Sequence, residues 1–527
     1  MKRINKYISL LLATALLASC DKFDEINTDP DATTKVTSSL LATGLLLDIT
    51  SSSASKSFIY DELLAKQMAW GESMEDYQYN VFGRSGFGGY TTLINAQKMV
   101  ESVSDDNVNA YDGLAHFIKA YKIFYMSMEM GDLPYEEALQ GELGLVRPKY
   151  NTQKEVMNFI LSDLETAYEL FSTAKDFDGD PILGGSISKW KKATTAFQLK
   201  VLMHLSKKES DADLKVKERF ARIVASGSLM ESNEDNLQMK YADKANTVYP
   251  FHNTNTKHAG YAMLSTMLID KFKATGDIRM FYYAKPAKAK LNEGVTADSW
   301  DAYIGTDPSL PFEQIEKAYA TEQYSGFNAR YTDYPSGEPV VRLGYAEQNF
   351  ILAEAAVRGW ISGDASAYYK KAIRAHMEFI ASNTPDEEVY HHGHPITEEA
   401  IAAFLETPAI QLSGEKEADI EKILTQRYLA SFMQHPYDVY YDYRRTGYPV
   451  LPINPATNRN TMNDRLPMRW MYPKSESDYN LEHQNEALER QFGGVDDVNK
   501  LMWILQYNKN RRGECRMERN APCSHLC

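Results

Sequence analysis

The sequence predicts a mainly α-helical protein. Three apolar stripes recur at alternating spacings of four and three residues, which places the members of each stripe on one side of an α-helix. The stripes run over Leu114–Met128, Met157–Phe171 and Ala346–Trp360. Long alternation of apolar and polar residues, which is typical of half-buried β-strands, is scarce.

Composition excludes several classes of protein. The chain has 527 residues, 43% hydrophobic and 24% charged, which is enough for a large core without disulfide or metal crosslinks. The net charge of −15 disfavours nucleic acid, whose binding depends on neutralising phosphates. The 34 tyrosines are unusual, because each offers a flat apolar face together with a hydroxyl group.

The N-terminus resembles a bacterial lipoprotein signal. Basic residues come first, the apolar run Ile8–Leu17 follows, and Leu17-Ala18-Ser19-Cys20 ends it. The run is too short to span a bilayer, and no other stretch is long enough. We expect residues 1–19 to be removed, Cys20 to be lipidated and residues 20–35 to form a tether. An ordinary signal peptide with an incidental cysteine is the alternative.

Two helices are predicted to end at a glycine and to be followed closely by another element. One ends at Gly131, with the next element beginning at Pro134–Leu139, and the other ends at Gly359, before Tyr368–Ile373. This pattern resembles tetratricopeptide helix pairs, with a non-repetitive helical bundle as the alternative. No linker divides residues 36–508, so we expect a single domain. Long irregular stretches lie between the helical blocks: Gly71–Tyr90, Asp176–Ser188, Tyr241–Gly260, Lys285–Pro339 and Tyr448–Asn485.

Six motifs, in order along the chain, carry a family resemblance. The chain resembles the SusD/RagB family of nutrient-binding outer-membrane lipoproteins. The resemblance implies an α-helical fold with tetratricopeptide-like helix pairs and a loop-rich ligand-binding part. The motifs are Asp21–Glu25 after the lipidation signal, Gly131–Tyr135, Ser188–Lys192, Ala346–Ala355, Asp442–Pro449 and Leu466–Pro473.

The resemblance also implies a function. Such proteins are lipid-anchored in the outer membrane, face the exterior, and pass an oligosaccharide to a SusC-like TonB-dependent transporter. A peptide ligand is the first alternative, a helical glycoside hydrolase is a weaker one, and the family itself is not enzymatic. Residues 509–527 depart from the family pattern because they are basic and contain Cys515, Cys523 and Cys527. We therefore expect that this terminus is out of frame or otherwise altered.

Two aromatic clusters are the predicted ligand surface, since sugar rings stack on aromatic faces while polar neighbours bond their hydroxyls. The alternative is that these aromatic residues fix the loops to the helical core. The ligand-binding candidates are Trp70, Tyr77, Tyr79, Asn80, Phe82 and Arg84 in the first loop, and Trp300, Tyr303, Tyr324, Phe327, Asn328, Arg330 and Tyr331 in the second. Neighbours in the same loops are Phe87, Tyr90, Asp333 and Tyr334.

Metal and catalytic signals are weak. The pattern around His391, His392 and His394 is typical of a solvated loop rather than of a metal site. Asp176, Asp178 and Asp180 are candidate ligands of a structural calcium ion, although no bidentate glutamate completes the site. Hydrolase motifs such as G-x-S-x-G and H-E-x-x-H are absent from the sequence. The Arg444-Arg445 pair is expected to bond carbonyl groups at a helix end.

Overall fold

The computed structural model describes residues 36–104, 107–255 and 257–507. The predicted signal peptide, Cys20, the tether and the basic tail therefore lie outside the described residues. Among those that are described, no helix has both the length and the apolar composition that a bilayer span requires.

The described helices and strands follow one another along the chain. The first ten helices are α1 Ser38–Thr50, α2 Ser57–Leu64, α3 Gly89–Glu101, α4 Val108–Met130, α5 Gln153–Thr173, α6 Ile187–His204, α7 Val216–Ser226, α8 Thr266–Thr275, α9 Arg279–Tyr283 and α10 Lys288–Asn292. The next ten are α11 Phe312–Ala320, α12 Ala329–Thr332, α13 Tyr345–Val357, α14 Ala365–Ser382, α15 Glu388–His391, α16 Glu398–Leu405, α17 Lys416–Ala430, α18 Pro436–Thr446, α19 Lys474–Tyr479 and α20 Leu481–Phe492. The strands are β1 Met68–Trp70, β2 Leu237–Met239, β3 Ala262–Leu264 and β4 Val340–Leu343. They form two antiparallel pairs, β1 with β3 and β2 with β4.

The three predicted apolar stripes lie on helices, which confirms the mainly α-helical prediction. Helix α4 ends at Gly131, whose φ of +103° suits glycine and stops the helix. Helix α5 begins with a capping box, in which Thr152 and Glu155 satisfy each other's backbone N–H groups. The third stripe extends to Trp360, but α13 ends earlier, at Val357.

Both predicted helix pairs are present, one of them with a different partner segment. Helix α13 packs against α14, as expected, whereas α4 packs against α5. The prediction that Pro134–Leu139 begins the second helix of the first pair is wrong. The side chain of Asn151 accepts the backbone N–H groups of Tyr135 and Glu136, and Leu139 adopts a φ of +63°, which an α-helix does not allow.

The irregular stretch Lys285–Pro339 is more ordered than expected. It contains helices α10, α11 and α12 and a short 3₁₀ helix at Trp300–Ala302. These helices are short, from three to nine residues, which is why they are inconspicuous in the sequence.

Two large adjoining hydrophobic cores organise the described residues, and Ala69, Met263 and Ile315 form a third, small cluster. Trp190 lies in the first, together with most of the buried face of α4 and α5. Tyr369 lies in the second, which also contains the buried residues of α8, α9 and α14. Helix α13 belongs to both, since Ile351 faces the first core and Phe350 faces the second.

A chain of buried ion pairs lies where the two cores meet. Lys200 of α6 is 2.5 Å from Asp438 and 3.1 Å from Glu347. Arg427 of α17 is 2.7 Å from the same Glu347 and 2.8 Å from Asp442. The chain therefore ties α6, α13, α17 and α18 together by alternating positive and negative charges.

The ion-pair chain continues to the end of α18 and α13. Arg445 is 2.8 Å from Asp442 and 2.5 Å from Glu354, which Arg358 also contacts at 2.7 Å. Four basic and four acidic side chains thus neutralise one another. Burial alone raises the pKa of Glu354, but the guanidinium groups of Arg445 and Arg358 hold it at about 2.

Replacing Glu354 tests how strongly this network supports the fold. We expect Glu354→Gln to lower the free energy of unfolding by about 3–5 kcal/mol at pH 7, because it leaves buried guanidinium charge unpaired. The folded pKa of Glu354 is lowered, so its contribution is complete above the unfolded value of about 4.3 and is lost as the pH falls towards 2. The difference in the free energy of unfolding between the variant and the parent protein, measured by urea denaturation, should therefore become smaller from pH 5 to pH 2.

Glu398→Gln provides the matched control, since Glu398 pairs with Arg374 on the surface and its side chain is 65% exposed. We expect Glu398→Gln to lower the free energy of unfolding by less than about 1 kcal/mol. Equal losses for the two variants would contradict a special role for the buried chain.

Candidate ligand-binding site

Four candidates of the first aromatic loop are core residues. Trp70 is 0% exposed, Tyr79 is 2% exposed and its hydroxyl donates to the carbonyl of Leu310. Phe82 stacks on Trp470 with ring centroids 4.6 Å apart. The amide of Asn80, likewise buried, donates to Asn458. The prediction that these four residues bind a ligand is wrong. They anchor the loop instead, because a buried ring cannot stack on a sugar and a buried amide cannot reach one.

The second loop shows the same outcome for five candidates: Tyr303, Phe327, Asn328, Arg330 and Tyr331 are all buried. Asn328 donates to the carbonyls of Phe281 and Tyr390, and Arg330 is 2.6 Å from Glu338. Because these five side chains are buried inside the protein, the prediction that they bind a ligand is also wrong, and their role is structural.

Four candidates keep some exposure: Tyr77, Arg84, Trp300 and Tyr324. The hydroxyl of Tyr77 accepts a hydrogen bond from the Trp470 indole, and Arg84 is 3.1 Å from Asp496. Trp300 packs edge-on against Phe281. Phe87, Tyr90 and Tyr334 are half-buried and pair with other rings, while Asp333 accepts a hydrogen bond from Asn253.

Tyr324 belongs to a row of half-buried tyrosines, which we call the tyrosine platform: Tyr261, Tyr319 and Tyr324. The centroids of Tyr319 and Tyr324 are 5.6 Å apart and their planes differ by 23°. Tyr261 lies 6.0 Å from Tyr319 at 31°. Trp70 lies behind the row, 5.7 Å from Tyr261. The two predicted aromatic loops are therefore brought together, but mainly through residues outside the candidate set.

Local structure holds the platform in place. Tyr261 directly precedes β3, and its carbonyl accepts the N–H of Gly71, which directly follows β1. Tyr319 lies on α11, one turn after the buried Ile315. A Cβ at residue 71 would come within 2.8 Å of the Tyr319 ring, so glycine is needed there for the ring to approach the backbone.

The electrostatic surroundings of the platform are mildly acidic. Burial, the neighbouring Tyr319 and Glu322 raise the pKa of Tyr324 to about 12, so its hydroxyl stays protonated. Burial, Tyr261 and Glu72 likewise raise the pKa of Tyr319. Within the described residues, none of the three phenol hydroxyls hydrogen-bonds to another protein group. The platform therefore combines half-buried aromatic rings with hydroxyl groups that no described protein group bonds.

Metal binding finds little support in the described ranges, where no three His, Cys, Asp or Glu side chains converge. The carboxylate of Asp180 accepts hydrogen bonds from three backbone N–H groups and from the Trp190 indole. His391 approaches Asp386, whereas His394 stacks on Phe281, so the histidines point to different partners. Arg444 donates to the carbonyls of Met468 and Met128, as the sequence predicted, but the prediction is wrong for Arg445, which bonds the carboxylates of Glu354 and Asp442.

The sequence interpretation missed Tyr261, Tyr319 and Gly71. The pairing of β1 with β3 that joins Gly71 to Tyr261 is not visible in strands of three residues. Of the three, only Tyr319 has a local signal in the sequence, because it lies four residues after Ile315 on a short amphipathic helix.

Comparison with known proteins decides the family. Residues 30–473 match the profile of the SusD-like family, described as starch-binding and associating with the outer membrane. The chain belongs to the SusD-like family. Membership places it among carbohydrate- or nutrient-binding outer-membrane proteins, and no enzyme family is indicated. A comparison with curated proteins gave no match.

Solved structures agree with the SusD-like assignment. A SusD homologue from Bacteroides fragilis is 99% identical, with a TM-score of 0.88 over 89% of this chain and 100% of that one. An outer membrane protein of Bacteroides vulgatus, described as involved in nutrient binding, is 33% identical, with a TM-score of 0.80 over 89% and 100%. A chitin-binding SusD homologue from Flavobacterium johnsoniae shares the fold at 17% identity, with a TM-score of 0.68 over 89% and 99%.

Phe327 and Tyr324 should respond differently to truncation. Phe327→Ala removes a fully packed ring and should lower the free energy of unfolding by about 3–5 kcal/mol. Tyr324→Ala removes a half-buried ring, and we expect a loss of less than about 1.5 kcal/mol. Urea denaturation measures both values. A larger loss for Tyr324 than for Phe327 would reverse our assignment of anchor and surface residues.

Proposed function

We propose that the protein captures oligosaccharides at the tyrosine platform. The row of three half-buried tyrosine rings carries this proposal, because the apolar C–H faces of sugars pack on the exposed parts of such rings and phenol hydroxyls can bond sugar hydroxyls. Family membership supports a carbohydrate as the ligand. The mechanism is reversible binding without chemical change.

We further propose that lipidated Cys20 anchors the protein at the outer surface of the outer membrane, where it delivers its ligand to a SusC-like TonB-dependent transporter. The order of basic residues, apolar run and Leu-Ala-Ser-Cys supports the anchor. Acyl chains on a single residue give a firm attachment without a membrane-spanning helix. The transporter partner rests on the family resemblance.

Truncating the platform should weaken glycan binding without unfolding the protein. We expect Tyr319→Ala and Tyr324→Ala each to lower affinity about tenfold, which corresponds to about 1.4 kcal/mol. Calorimetry against maltoheptaose, chitohexaose and a peptide digest measures the effect and identifies the ligand class. Heat from the peptides alone would favour the peptide alternative, and release of reducing ends would favour a hydrolase.

Tyr479→Ala is the matched control, because Tyr479 is 75% exposed and lies on α19. It should leave affinity unchanged. If it lowers glycan affinity as much as the platform variants do, the platform is not the binding site.

Cys20→Ala tests the anchor. The variant cannot be acylated at residue 20, so we expect it to leave the membrane fraction and to appear in the soluble fraction of fractionated cells. Native protein serves as the control. A variant that remains membrane-bound and resists carbonate extraction would contradict a lipid anchor at this residue.

A further inference from the structure

A groove runs between helices α3 and α4. It encloses a cavity of about 420 Å³, and the turn 135–139 forms a further wall. Its floor is apolar, with Leu93, Ala96 and Ile123 buried beneath it. None of its lining residues belongs to the tyrosine platform. The groove is therefore a separate surface.

The rim of the groove is acidic. Glu101, Asp112 and Glu136 line it, and Glu101 and Glu136 are exposed. In the ranges that the structure describes, no lysine or arginine forms an ion pair with any of these three carboxylates. Asp112 approaches only the imidazole of His116, at 3.8 Å. Glu136 accepts a hydrogen bond from the side-chain amide of Asn151, at 2.6 Å, whereas Glu101 and Asp112 remain available to a positive charge from outside.

The single lysine that lines the groove is already neutralised. The Nζ of Lys119 lies 3.7 Å from Asp163 and 4.0 Å above the ring of Tyr135. Asp163 also hydrogen-bonds to His116, at 2.7 Å, and to the Tyr135 hydroxyl. Lys119 therefore does not offset the negative charge of the rim.

An apolar side chain of α3 extends the groove onto the surface. Ile94 is 42% exposed and lies three and seven residues before Gln97 and Glu101, on the same face of α3. An exposed aliphatic group beside a groove with an apolar floor is typical of a protein-binding surface.

We propose that this groove docks a short segment of a partner protein in which an apolar side chain lies beside a lysine or arginine. The apolar side chain of the partner packs on the floor of the groove, and its lysine or arginine forms an ion pair with Glu101 or Asp112. A sugar fits less well, because both faces of Tyr135 are covered, one by Lys119 and the other by Phe159 at 4.5 Å. Charge complementarity and the apolar floor thus select a basic polypeptide.

Labelled repeat peptides test the proposal by fluorescence anisotropy at physiological ionic strength. A Leu-Lys repeat peptide should bind the full chain at least about tenfold more tightly than a Leu-Glu or a Ser-Lys repeat of equal length. The double variant Glu101→Lys/Asp112→Lys should weaken binding of the Leu-Lys peptide about tenfold or more. Gln97→Trp, which fills the groove mouth, should do the same without changing charge.

The control is Glu218→Lys combined with Glu234→Lys, which makes the same change in net charge at two exposed residues outside the groove. It should leave binding unchanged. Equal loss in the control, no loss in Gln97→Trp, or equal binding of the three peptides would overturn the proposal. So would binding that appears only after deletion of residues 509–527, because the basic tail would then be the occupant.

Discussion

The buried chain of ion pairs from Lys200 to Arg358 is the constraint on which the rest of the fold depends. Charges in an apolar interior are tolerated only when each has its partners, so four helices must hold their mutual positions for the chain to close. Helix α13 contributes two of the acids and separates the two cores. The helical scaffold is therefore fixed by geometry as well as by apolar packing, and it provides a rigid base for the loops.

Hydrogen bonds attach those loops to the scaffold. The Tyr79 hydroxyl bonds the carbonyl of Leu310, which connects the first aromatic loop to the second. Asn328 joins the second loop to α9 and α15 through two carbonyl groups. Buried polar side chains of this kind satisfy backbone groups that irregular segments would otherwise leave unpaired. A platform carried by braced loops needs little ordering when a ligand binds, which favours affinity.

The sequence predicted the helices well because apolar periodicity is a local property. It predicted the aromatic loops as regions but not the residues that face solvent, because exposure of a ring depends on neighbours distant in the chain. Trp70 is covered by Lys56 and Tyr261, and neither contact has a sequence signature. The sequence did not single out Tyr319, because a lone tyrosine on a nine-residue helix gives no signal of its surroundings. Its contact with Gly71 joins residues that are far apart in the chain.

The close approach of Gly71 to Tyr319 has a consequence for the shape of the platform. Because the ring rests on a backbone without a side chain, the tilt of Tyr319 depends on residue 71 as well as on the tyrosines themselves. Any larger residue at this position would lift Tyr319 and alter the curvature of the row while all three tyrosines remain. In the glycan capture proposed above, a substitution at residue 71 would thus reshape the stacking surface without any change in the aromatic residues.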